Sequence, residues 1–97
     1  MTARYRVDFP GTARADLANA RRWLFQPGSG VRAHQRYADI LAAIQDLKIS
    51  PGRWPLEDHG VRQRTVGGYR MIYRLDEQNR TVVVLRIFGP FQDRSTS

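Results

Sequence analysis

Two adjacent glycines, Gly67 and Gly68, separate the segments VRQRTV and YRMIYRL. A two-residue Gly-Gly loop supplies the positive φ angles that a tight β-hairpin turn requires. This pair constrains the chain more than any other feature, because it sets two antiparallel strands side by side. In the second of them Tyr69, Met71, Tyr73 and Leu75 fall at every second position and therefore share one face. A polar turn, DEQNR, leads into a third strand, TVVVLRIF, in which Val83, Leu85 and Ile87 are expected to point inward. The last third of the chain is thus predicted to be a three-stranded antiparallel meander.

The rest of the chain supplies one more strand and two helices. RYRVDF alternates, with Tyr5, Val7 and Phe9 on one side and Arg4, Arg6 and Asp8 on the other. Pro10 and Gly11 end it, and Thr12 is placed to cap a helix whose apolar stripe is Ala13, Leu17, Ala20 and Leu24. After the break QPGSG, a second helix is predicted from Val31 to Lys48. Its stripe is Ala33, Tyr37, Ile40, Ile44 and Leu47, broadened by Ala38 and Leu41. SPGRWPLEDHG reads as a loop, since two prolines and two glycines disfavour regular structure. The expected class is α+β: an N-terminal strand, an antiparallel helical hairpin and the meander, forming one sheet with the helices on one face. Residues 1–94 are expected to form a single domain, with 95–97 a flexible tail.

Composition narrows the function. Sixteen Lys and Arg against nine Asp and Glu give a net charge of +7 in 97 residues, which favours a polyanionic partner. With no cysteine, disulfides, thiolate metal sites and cysteine nucleophiles are excluded. The sequence shows no signal-like or membrane-spanning apolar run, and the cytoplasm is the expected compartment.

The arginines are the candidate functional residues. Arg70 and Arg74 alternate with the inward set of their strand, and Arg86 lies on the strand after it. Arg62 and Arg64 also share a face. If the registers agree, five guanidiniums lie on the sheet face away from the helices, among Ile72, Val82, Val84 and Phe88. Guanidinium binds carboxylate or phosphate in a bidentate fork, so such a face would grip something acidic.

Four segments in fixed order resemble the RelE/ParE superfamily, the toxins of bacterial type II toxin–antitoxin pairs. They are TARADLANA, IQDLKISPGR, GGYRMIYRLD and VVVLRIFGPFQD, of which the Y-R-x-x-Y-R unit from Tyr69 to Arg74 is the most specific. The resemblance implies the strand–helix–helix–three-strand fold and a cognate, ParD-like antitoxin whose acidic tail wraps the toxin. It also implies a hetero-oligomeric complex that reaches operator DNA only through the antitoxin. RelE-like members of the superfamily cleave mRNA on the ribosome; ParE-like members poison DNA gyrase and have no accepted catalytic residues.

Arg70 falls where RelE-like chains carry a strand arginine, and Arg62 or Arg64 stands for the preceding basic pair. The C-terminal end departs from that pattern. Phe91 occupies the place of a second arginine, and no tyrosine follows it. A phenyl ring cannot neutralise developing phosphate charge. The expectation is therefore a ParE-like gyrase inhibitor with no catalytic residues, Arg62, Arg64 and Arg70 being the alternative RNase set. Antitoxin binding is assigned to Trp23, Trp54, Arg70, Arg74 and Arg86, and target binding to Arg62, Arg64, Phe91 and Gln92. A further alternative is a toxin fold that has lost toxicity and only binds antitoxin.

Other constellations carry less. His34 and His59 lack companion ligands, so no metal or cofactor is expected. The serines have no paired base. Arg14, Arg21 and Arg22 on the first helix read as a solvated face, the alternative being a contact with gyrase, and Trp23 is expected to pack against the loop holding Trp54.

Overall fold

A computed structural model describes residues 4–89. Strand β1 (Arg6–Asp8) leads into helices α1 (Gly11–Leu24) and α2 (Gly30–Leu47), followed by β2 (Arg62–Val66), β3 (Tyr69–Asp76) and β4 (Thr81–Phe88). The four strands form one sheet in the order β1-β4-β3-β2. β1 runs parallel to β4, and the other pairings are antiparallel. This is the expected α+β architecture. No helix among the described residues is long and apolar enough to cross a membrane.

Helix α1 starts one residue before the predicted cap. Pro10, with φ −59° and no N–H of its own, precedes the first turn, and its carbonyl accepts from the Arg14 N–H at 3.0 Å. Thr12 therefore lies inside the first turn and caps nothing. Ala13, Ala20 and Leu24 are buried as predicted, and so is Asp16, which interrupts the stripe.

Helix α2 buries Ile40, Ala43, Ile44 and Leu47. Leu41 lies about 100° round the helix from Ile40, and Ala38 further still, so both face outward and Ala43 fills the stripe instead. The connection to β2 is less irregular than its prolines suggest, with single 3-10 turns at Pro51–Arg53 and Asp58–Gly60. Leu56 bridges to Arg62 at the outer edge of β2.

The core lies between the helices and one sheet face. Tyr69, Met71 and Tyr73 are buried there, with Leu75 packed against them. On β4 the inward set differs from the predicted one. Ile72 pairs with Arg86 but Tyr73 pairs with Val84, leaving Leu85 as the extra residue of a β-bulge. The bulge resets the alternation, so Val82, Val84 and Ile87 are buried, whereas Val83 and Leu85 are half-exposed and outside the core cluster.

Candidate functional site

The register decides which arginines share a face. β3 places Arg70, Ile72 and Arg74 away from the helices, and their partners on β4 are Phe88, Arg86 and Val83. Phe88 organises this open face: the Arg86 guanidinium lies 4.5 Å from its ring centre and that of Arg70 5.8 Å. Arg74 donates to the His59 carbonyl at 3.3 Å, tying the face to the loop before β2. Ile72, Val83 and Phe88 are half-buried, but none belongs to the core. The result is a face of arginines interleaved with apolar side chains.

Arg62 and Arg64 are not part of it. Arg62 pairs with Tyr73 and Arg64 with Met71, both core residues, so these two guanidiniums point to the helix side. The expectation of five arginines on one open face is therefore corrected to three from the meander, with Arg6 on β1. The turn itself held the answer, because a two-residue loop at Gly67-Gly68 forces Val66 opposite Tyr69 and every second residue before it into the same set.

On the helix side Arg62 and Arg64 build a structural corner. Arg64 pairs with Asp46 at 3.3 Å and stacks over Trp54, 4.2 Å from its ring centre. Arg62 Nη1 donates to the Trp54 carbonyl at 2.6 Å, while its buried Nε finds no partner among the described residues. The Tyr73 hydroxyl donates to the Pro51 carbonyl, and burial raises its pKa above the usual phenol value. Trp54 is thus held at the β2 edge. Trp23 lies on α1, which packs over β4, with 52% of its surface exposed. Phe91 and Gln92 lie outside the described residues.

Asp16 is the residue that the sequence reading missed. Its carboxylate accepts from Arg86 Nε at 2.7 Å, from Arg86 Nη2 at 3.2 Å and from the Ile87 N–H at 2.9 Å. β1 covers β4 only from Thr81 to Val83, so Asp16 seals an amide on the edge left bare beyond it. The hydrogen bond to Asp16 raises the pKa of Arg86 further above its ordinary value. An acid at helical spacing between Ala13 and Ala20 was the available signal.

On the open face Asp8, across Val83 from Arg74, is paired with Arg6 at 3.1 Å. On the same face the β2 partner of Arg70 is Thr65, and two pairs along Gln63 stands opposite Ile72; neither β2 residue is charged. His34 stacks on Phe25 with ring centres 4.3 Å apart. Among the described residues no cluster of His, Cys, Asp or Glu is placed to hold a metal ion.

An N-terminal strand, a helical hairpin and three further strands in one mixed sheet match the RelE/ParE type of toxin fold. The family model for the ParE toxin of the type II toxin–antitoxin system parDE matches residues 7–89. The chain therefore belongs to the ParE toxin family. A chain of the toxin–antitoxin complex RelBE2 from Mycobacterium tuberculosis is 33% identical with a TM-score of 0.59; the match covers 89% of this chain and 98% of that one. A chain of the chromosomal ParDE system of P. aeruginosa is 21% identical with a TM-score of 0.66, covering 88% of this chain and 95% of that one, a likeness of fold. None of the curated proteins matches the chain.

Proposed function

We propose that this toxin inhibits bacterial DNA gyrase without catalysing a reaction, and that a ParD-like antitoxin neutralises it by laying an acidic, partly apolar tail on the open sheet face. The observation that carries the non-catalytic reading is the separation of the arginines. Arg62 and Arg64 are committed to Trp54 and Asp46 on the helix side, while Arg70 stands beside uncharged Thr65 and Gln63. An RNase needs a group to accept or donate the proton and several cations around one phosphate; here Arg62 and Arg64 lie on the opposite face from Arg70, and the open-face carboxylate of Asp8 is engaged by Arg6.

In this reading Arg70 and Arg74 receive carboxylates, Ile72 and Phe88 receive the apolar side chains between them, and Arg86 positions Phe88. Trp23 and Trp54 border the tail's path over the molecule. Arg62 and Arg64 contribute to the target surface by shaping the β2 edge, and Phe91 and Gln92 are assigned to the same target contact from the sequence alone.

The test is a cleavage assay with purified toxin, gyrase, ATP and supercoiled plasmid, quenched with detergent and protease. Linear DNA that appears with toxin and disappears on adding antitoxin is the expected result. One observation favours a second reading: the 33% identity to a RelBE2 chain keeps ribosome-dependent mRNA cleavage as the alternative. If protein that is toxic in cells yields no linear DNA, and Arg70→Ala abolishes mRNA cleavage on programmed ribosomes, the gyrase reading fails.

A further inference from the structure

We propose that the outward face of α1 is a contact surface for the phosphate backbone of duplex DNA, used by this chain directly and without sequence preference. Between Gly11 and Leu24 the only acid is Asp16, and its carboxylate is turned inward onto Arg86 and the Ile87 N–H. What α1 presents to solvent is therefore positive charge alone, and Arg14, Arg21 and Arg22 are all exposed.

Spacing and shape select the partner. At a rise of about 1.5 Å per residue, Arg14 stands roughly 10–12 Å along the axis from Arg21 and Arg22. The exposed ridge between them is Ala15 and Ala18, so the helix is slim where it would meet a B-form major groove about 12 Å wide. The deep, narrow major groove of A-form RNA does not admit such an element. An acidic protein would answer the same charge, but the ridge offers no large apolar anchor of the kind that dominates protein interfaces. Trp23 lies about 100° round the helix from Arg22.

The surface does not depend on gyrase being the target. It narrows the expectation that this chain meets DNA only through its antitoxin: sequence-specific operator recognition stays with the antitoxin, and the backbone contact belongs to α1.

Fluorescence anisotropy tests it, with the full chain freed of antitoxin and a short mixed-sequence DNA duplex or the matching RNA duplex. Three phosphate contacts predict a slope of about −2.7 in log affinity against log salt, hence roughly a 40-fold loss between about 50 and 200 mM salt. R14Q/R21Q/R22Q, with unchanged far-UV circular dichroism, is expected to lose about tenfold or more of the affinity and most of the slope. R4Q/R53Q/R80Q, of equal net charge, is expected to keep both. If the triple variant fails to fold, R14Q and R22Q singly are each expected to lower the slope by about 0.9. Equal weakening by both triple variants, RNA bound as tightly as DNA, or no duplex binding by the wild type at low salt would overturn the proposal, the last leaving the surface to an acidic protein.

Discussion

Removing the Asp16 carboxylate would strip partners from two groups at once, the Arg86 guanidinium and the Ile87 amide. Asp16→Ala is expected to destabilise the fold by about 2–3 kcal/mol. The figure stays below that of a fully buried pair because the Arg86 side chain is 43% exposed and can turn to water. A lower urea midpoint with an unchanged m-value would bear this out; a shift under about 0.5 kcal/mol would refute it. At the β3–β4 turn the Asn79 side-chain amide, and then its backbone N–H, hold the Asp76 pKa below the ordinary value. A depressed folded-state pKa contributes stability above the unfolded value, near 3.9, and that contribution is lost as pH falls through the lower folded value. Asn79→Ala is accordingly expected to move the Asp76 titration upward, as followed by NMR of its side-chain carboxyl.

At the scale of elements, β4 separates what periodicity reveals from what it hides. Regular alternation makes Leu85 a core residue and Val84 an outward one; the bulge reverses both. Val84→Thr, which puts a hydroxyl into the core, is expected to cost about 1–3 kcal/mol, and Leu85→Thr less than about 1 kcal/mol. Thermal or urea denaturation giving the opposite order would restore the regular strand. The helices, the meander and the buried face of β3 were legible because their apolar spacing is long, broken only by Asp16 in α1. The bulge was not, since nothing in TVVVLRIF distinguishes an extra residue from a regular one. The placement of Arg62 and Arg64 was legible in principle: side-chain parity follows from the Gly67-Gly68 turn, but arginine on the buried side contradicts the usual pairing of charge with solvent. It is tolerated because Trp54 and Asp46 receive those guanidiniums.

For the molecule as a whole, net charge and sheet topology set the terms of partnership. Arg70→Ala/Arg74→Ala is expected to weaken binding of a purified acidic-tailed antitoxin by about tenfold or more and to flatten its salt dependence, measurable by titration calorimetry. Unchanged affinity would move the antitoxin's path off the open face. The topology also governs when this toxin comes into being. β4 is the last of the described strands but interior in the sheet, and it is the strand with which β1 pairs. The amide that Asp16 holds belongs to the same strand, so both ends of the described chain meet there. During synthesis, at about 5–20 residues per second, the first strand and helix wait for a partner made after every other described strand. Such long-range closure comes late in folding. The nascent chain is thus without its finished sheet until β4 has been made, and a transcript broken before the codon for Arg86 yields a polypeptide that cannot close it.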